Sequence, residues 1–354
     1  MAGAQLDPGE ELRVAAGFPA LIRFLGGAPG RPLVVFVTGG GVLARVAYGH
    51  GDARPEDFLA YWLHRAGYSF LATSYPLGHP VFPQAYPAFT VRDWAAQTAE
   101  LARSAVVDHG LAPRILVLAW SMAGRIAQPL GTACRERGLE IELFLPMAAT
   151  PALPNLLPAL DASRPDPQGL ADARVGFFPW LVRCLQAQNE RAGRSILAEE
   201  EFLAAFTGDY PINLAATPLR YRDGRFVADI AEDDQDTGAR NIAEFPCLAV
   251  LGHDSPLDPR HALTDRANWA AFLAQSLFAR VSARAPDLAA LPPEAWRECL
   301  RLIHGASERL SATVPGSHLF FLGESGAQAT VAALGTLQDR ARTLTAELDR
   351  LAEG

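Results

Sequence analysis

Ser121 lies in Leu116-Val117-Leu118-Ala119-Trp120-Ser121-Met122-Ala123-Gly124, where an apolar run leads to a serine with small side chains two residues to either side, and a helical pattern follows. A serine hydroxyl becomes a nucleophile when a base takes its proton and a sharp turn lifts it clear of the chain. At such a strand-to-helix turn the two backbones approach too closely for large flanking side chains. Ala119 and Ala123 satisfy that limit, although they stand where glycines are usual in G-x-S-x-G. A serine between two alanines is common in an alanine-rich chain, so its surroundings must carry the reading. Upstream, Gly39-Gly40-Gly41 is either an ordinary tight turn or a set of backbone N–H donors. Downstream, His253, Asp254, Asp258 and His261 crowd one loop with donors that would suit zinc or manganese. No second cluster completes a coordination shell at a known spacing, so no metal is expected, and surface charge explains these residues more simply.

The elements that position these residues follow a regular rhythm. Leu33–Val37 is a β-rich run, and residues 57–66 form a helical pattern stopped by Gly67. Residues 68–73 read as the next strand, 91–107 as a helix, and 115–118 as a strand running into Ser121. Residues 126–137 read as a helix and 141–145 as a fourth strand. Strands alternating with helices imply a parallel sheet covered by helices. After Thr150 the prolines Pro151, Pro154, Pro158, Pro165, Pro167 and Pro179 break any long element, Val175 to Phe206 is helical and aromatic-rich, and 210–244 is polar with the acidic run Glu232-Asp233-Asp234. Strand character returns at 247–251. The expected organisation is therefore a first core segment over 1–150, an insertion capping the sheet over 151–244, and a second core segment with extra helices over 245–354. A separate domain at 151–244 is the alternative. In the last helix Leu334, Leu337, Ala341, Leu344, Leu348 and Leu351 alternate three and four apart. That spacing suits packing on the chain's own sheet and also admits a homodimer seam.

In this ordered context the chain resembles the α/β-hydrolase superfamily. Val35-Phe36-Val37-Thr38-Gly39-Gly40-Gly41 is similar to the strand and glycine turn of the family's oxyanion loop, and the segment from Tyr68 to His79 to its next strand with a Pro-x-Gly-His turn. The segment Val314-Pro315-Gly316-Ser317-His318-Leu319-Phe320 is similar to its histidine loop. The resemblance covers roughly 31–150 and 245–325. It implies a mostly parallel sheet with helices on both faces and an inserted cap. It also implies Ser121 as nucleophile, His318 as base, and N–H donors from Met122 and from Gly40 with Gly41 next in line. Each such donor typically lowers the barrier by about 3–4 kcal/mol. The acid is sought after the strand at 247–251, where Asp254 is nearer the strand end and Asp258 is the second choice. Asp254 and His318 are far apart in sequence for this family, so an extra helical pair must lie between them.

Composition narrows the partners. The 354 residues carry a net charge of −8, with 49% hydrophobic and 20% charged residues, which is globular and offers no basic footprint for nucleic acid. All 31 basic residues are arginine, which excludes lysine chemistry. Four scattered cysteines read as free thiols in a reducing compartment. A polar Met1 to Glu11 without signal-peptide character and the lack of an 18-residue apolar run add to an expectation of a cytoplasmic protein with no membrane span. Gly39-x-Gly41-x-x-Ala44 fits a dinucleotide fingerprint, but the following strand ends in Thr73-Ser74-Tyr75 where the ribose needs an acid, so no cofactor is expected. The expected function is hydrolysis of a carboxylic ester or thioester through an acyl-enzyme on Ser121, on a small-molecule or carrier-bound acyl substrate. The alternatives are acyl transfer by the same residues and a non-catalytic binding protein of that fold. Trp120, Phe177, Phe178 and Trp180, with Phe206, would line a greasy pocket or form the cap's own core.

Overall fold

The computed structural model describes residues 6–153, 156, 165–174 and 176–353, so Pro154, Pro158 and Val175 lie outside the described residues. Ahead of the first expected strand lies an antiparallel hairpin, β1 (Glu10–Ala15) and β2 (Phe18–Leu25). β1 shows no inward–outward alternation: Glu10 and Ala15 at its ends are buried while Leu12 and Val14 are exposed. Glu10 can be buried because Arg45 and Tyr48 both bond its carboxylate, Arg45 Nη2 at 2.7 Å and Tyr48 Oη at 2.8 Å.

The parallel part follows the expected rhythm. β3 (Leu33–Val37) is wholly buried, as a strand covered on both faces must be. Then come α1 (Leu59–Arg65), β4 (Ser69–Ser74), α2 (Val91–Asp108), β5 (Arg114–Trp120), α3 (Ala127–Glu136) and β6 (Glu140–Met147). A capping box fixes the start of α2, with Thr90 accepting from Asp93 N–H and the Asp93 carboxylate accepting from Thr90 N–H. Between β6 and the next sheet strand lie α4 (Phe177–Ala192), α5 (Glu199–Ala205), a hairpin of β7 (Leu219–Arg222) and β8 (Arg225–Ala228), and α6 (Ile230–Thr237). The chain then completes the core with β9 (Val250–Gly252), α7 (Pro259–Arg284), α8 (Pro293–Arg309), β10 (Ser311–Thr313) and α9 (Glu324–Glu353). The long helices α7 and α8 account for the sequence distance between the loop after β9 and His318.

Among the described residues the main sheet has the order β1-β2-β4-β3-β5-β6-β9-β10, and β2 alone runs against the other strands, pairing antiparallel with both β1 and β4. α2 and α3 pack together, while α1, α7 and α8 gather on α9. Leu334, Leu337, Ala341, Leu344 and Leu348 of α9 are buried in the chain's own core. A mostly parallel sheet between helices, carrying a large insertion after β6, is the α/β-hydrolase fold with a cap. The chain runs from β3 out to β4 and crosses back to β5, so the strand order reverses between β3 and β5. Open α/β sheets bind ligands beyond the carboxyl ends of the strands at that point. Gly39 and Ser121 are the residues found there.

Candidate active site

Ser121 follows β5 directly and begins a 3-10 turn over Ser121–Ile126 that leads into α3. Its φ is +58°, a left-handed conformation that a residue with a side chain adopts at a cost of about 1–3 kcal/mol. The surroundings enforce it. A Cβ on Gly39 would come within 2.7 Å of Ser121 Cβ, and one on Gly124 within 2.5 Å of the Thr150 carbonyl oxygen and 2.9 Å of the Trp269 ring. Ala119 and Ala123 are fully buried, as small flanking residues at a tight turn should be. Ser121 keeps 8% of its surface exposed, and its hydroxyl makes no hydrogen bond among the described residues.

His318 approaches from the loop after β10. The Trp120 indole N–H donates to the His318 carbonyl at 3.0 Å, and the two rings lie 5.3 Å apart. From α4, the Cys184 carbonyl accepts from the Ser317 hydroxyl and the Gln188 side-chain oxygen accepts from Ser317 N–H. His318 is therefore fixed from the strand side and from the insertion side. Its Nδ1 lies 2.7 Å from Asp258 Oδ2, while its Nε2 is buried with no partner among the described residues. Burial pushes the imidazole down to about 4, overriding the opposing pull of Asp258. The ring is thus neutral near pH 7, with Nδ1–H donating to the carboxylate and an unshared pair at Nε2. Burial also acts to raise Asp258, but hydrogen bonds from His253 and His318 outweigh it and hold the carboxyl well below the usual range.

The imidazole is thus partnered by Asp258, and the first choice of Asp254 is corrected. Asp254 is exposed and accepts the Gly316 N–H at 3.0 Å, whereas the chain turns between them and buries Asp258 as the residue immediately before α7. The loop's histidines divide between two carboxylates. His253 Nε2 lies 2.9 Å from Asp258 Oδ2, and His261 Nδ1 lies 2.9 Å from Asp265 Oδ1, with the His261 ring 5.2 Å from that of His318. His253, Asp258 and His318 offer donor atoms within 4.8 Å of one another. Both ring nitrogens are at hydrogen-bond distance from the same carboxylate oxygen, so protons account for the cluster without an ion.

On the glycine loop, Gly41 N–H donates to Tyr75 Oη at 2.9 Å and the same hydroxyl donates to the Gly39 carbonyl at 3.0 Å. Burial drives the Tyr75 phenol well above its ordinary value, so it keeps the proton this pair of bonds requires. Gly41 is therefore already committed, and the expectation that it stands in line as an oxyanion donor is corrected. Gly40 N–H makes no hydrogen bond among the described residues, and Met122 is the second residue of a 3-10 turn, where a helix leaves its N–H groups free. Tyr75 lies in the strand-and-turn segment from Tyr68 to His79, and nothing in its spacing marks it as the brace of the glycine loop.

Three of the four aromatic residues expected at the substrate pocket gather here. Phe177 comes within 3.7 Å of the position a Cβ on Gly40 would take, and its ring is 5.6 Å from Trp180. Trp180 lies 4.9 Å from the His318 ring, held by an indole bond of 2.8 Å to the Leu257 carbonyl. Phe178 points elsewhere: it is buried against Gly41 and lines a cavity of about 450 Å³ between α4 and α5 whose lining contains neither Ser121 nor His318. Phe206 is fully buried, stacks on Phe202 and belongs to the main hydrophobic core.

No protein-family model matches the chain, and no curated protein matches it. Solved structures with a similar course do exist. A thermophilic esterase from Thermogutta terrifontis shares 12% identity over 92% of this chain and 94% of its own, with a TM-score of 0.43. A hypothetical protein from Pseudomonas aeruginosa PAO1 shares 15% over 95% and 100%, with a TM-score of 0.47. An epoxide hydrolase from Vigna radiata shares 13% over 92% and 96%, also at 0.47. These are likenesses of chain course. The fold assignment rests on the strand order and the crossover described above.

What the arrangement can do follows from its parts. A hydroxyl on a strained turn, a neutral buried imidazole oriented by an ionised carboxylate, and two free backbone N–H groups beside them are the ingredients of nucleophilic acyl transfer. Among the described residues no helix is long and apolar enough to cross a membrane.

Proposed function

We propose that the protein is a serine hydrolase that cleaves a carboxylic ester or thioester, with Ser121 as nucleophile, His318 as general base and Asp258 as the acid that orients it. The observation that carries this reading is the left-handed φ of +58° at Ser121, at the end of the strand beside the switch point. Strain of this kind persists where the surrounding structure over-determines it, and it concentrates at reacting residues. In the proposed reaction Ser121 Oγ attacks the acyl carbonyl while His318 Nε2 takes the hydroxyl proton. The oxyanion is met by the N–H groups of Gly40 and Met122. Collapse expels the alcohol or thiol, which receives the proton from His318. Water, deprotonated by the same nitrogen, then releases the acid and restores Ser121. Trp120, Phe177 and Trp180 would surround the acyl group, so the substrate is expected to be apolar at that end. Acyl transfer differs only in the second acceptor.

The test is covalent. A fluorophosphonate should label the protein once, on the peptide spanning Trp120 to Arg125, and Ser121→Ala should abolish labelling. An adduct on another residue, or no adduct on folded protein, would overturn the assignment.

A further inference from the structure

The Asp258 carboxylate oxygen that accepts from His318 accepts a second hydrogen bond from a residue to which the proposed reaction gives no task. His253 Nε2 lies 2.9 Å from Asp258 Oδ2, and His318 Nδ1 lies 2.7 Å from the same atom. The far side of the His253 ring settles which nitrogen holds its proton. Ser255 N–H donates to His253 Nδ1 at 3.2 Å, so Nδ1 bears the unshared pair and Nε2 bears the hydrogen. The side chain of His253 has no solvent exposure, so no water competes for that hydrogen. The ring packs edge-on to His318, with centroids 6.3 Å apart, and lies 6.1 Å from Phe320.

We propose that His253 is a positioning residue: its Nε2–H fixes the Asp258 carboxylate toward His318 and, by sharing Oδ2, moderates how strongly that carboxylate attracts a proton onto the His318 ring. This rests on the reading of Ser121, His318 and Asp258 given above. A carboxylate in a loop can rotate about χ2. Holding it by two imidazoles at one oxygen leaves it a single orientation, and a carboxylate that accepts two hydrogen bonds is less basic than one that accepts one. Removing the His253 donor should therefore make the His318 imidazolium easier to form, so His318 would protonate at higher pH. The other ionisable groups facing His318 are His261 with its partner Asp265 on α7 and the Cys184 thiol on α4, which burial pushes up to about 11 and so keeps neutral. None of them bonds Asp258 Oδ2.

The experiment needs no knowledge of the natural substrate, because the rate at which a fluorophosphonate labels Ser121 reports the neutral fraction of His318. Labelling rates are measured from pH 3.5 to 8 for the unsubstituted protein, His253→Phe and His253→Gln. The acid limb should move up by about one pH unit in His253→Phe. It should stay in place in His253→Gln, whose amide N–H can occupy the Nε2 position. An unmoved limb in folded His253→Phe, or a limb that moves equally in both variants, overturns the proposal. Should His253→Phe not fold, nitrogen-15 NMR of the unsubstituted protein decides, with His253→Gln used for assignment. His253 is expected as the Nε2–H tautomer and His318 as Nδ1–H, and an Nδ1–H tautomer at His253 overturns the proposal. Labelling at a residue other than Ser121 would instead remove the reaction reading while the tautomers still decide the role of His253.

Discussion

Asp254 and Asp258 stand four residues apart and differ in everything else that matters. Asp254 is exposed and holds the backbone of the histidine loop through Gly316, while Asp258 is buried between two imidazoles. Asp258→Asn should therefore lower turnover of an activated ester by about 10³–10⁴, since an amide can offer its N–H and force the wrong His318 tautomer. Asp254→Asn should cost less than tenfold, because its carbonyl oxygen can still accept from Gly316 N–H. Steady-state kinetics on both variants check the ranking, and comparable losses would remove Asp258 from its proposed place. The ambiguity was intrinsic to the sequence. Both aspartates follow the strand within a few residues, and only the path of the chain into α7 tells which one turns inward.

At the scale of elements, the turn after Ser121 is tied to the insertion through buried charge. Arg125, in the 3-10 turn that leads into α3, and Arg220 on β7 both bond Asp233 of α6, and all three side chains are at most 3% exposed. Asp236 of the same helix accepts from Val91 and Arg92 N–H at the start of α2. One short helix thus joins the Ser121 turn, β7 and α2. Removing one member of a buried ionic cluster leaves the others uncompensated and typically costs about 3–5 kcal/mol. Asp233→Ala should lose that much in a denaturant titration, and a loss under about 1 kcal/mol would mean the arginines are not held by it. Neither α6 nor this cluster was legible: Glu232-Asp233-Asp234 reads as a solvated acidic run, and its arginine partners come from distant segments. The β7-β8 hairpin did carry a readable mark, since Asp223-Gly224 is a two-residue turn with both φ values positive, at +48° and +76°. By contrast, β3 to β6 and their helices were legible because apolar runs of strand length alternate there with amphipathic helices, a pattern that tertiary contacts reinforce. The β1-β2 hairpin was not, because Glu10 is buried in β1 and two apolar side chains of that strand face out.

For the whole molecule, pH should act through histidines kept neutral. Burial pushes both His79 and His318 down to about 4 from 6.5. Between those values the unfolded chain takes up protons that the folded chain refuses, so stability falls as pH drops from about 6.5 toward 4. His261 acts in the opposite sense: burial opposes its charge, but the bond to Asp265 raises it. The carboxyls of Asp209, Asp236 and Asp265, which burial raises, act with His261 against the two depressed histidines, so the contribution of His79 is read from its own substitution. His79→Gln should reduce the difference in Tm between pH 7 and pH 4.5, which scanning calorimetry would resolve, and an unchanged difference would exclude His79 as a contributor.

The insertion is bonded to three walls of the cleft at once. Gly208 N–H donates to the Gly41 carbonyl and Leu43 N–H to the Phe206 carbonyl, Gln188 and Cys184 grip Ser317, and Asp233 grips Arg125. Swinging it open would break contacts that also shape the glycine loop, the histidine loop and the serine turn, so opening and disassembly of the reacting groups would be one event. On the proposed function, such a cleft would admit substrate by size rather than by gating. Progress curves with a short ester should then be linear from the first seconds, and dispersing the ester in detergent micelles should produce no lag and no burst of interfacial activation. A pronounced lag abolished by micelles would show that this region moves as a hinged cover after all.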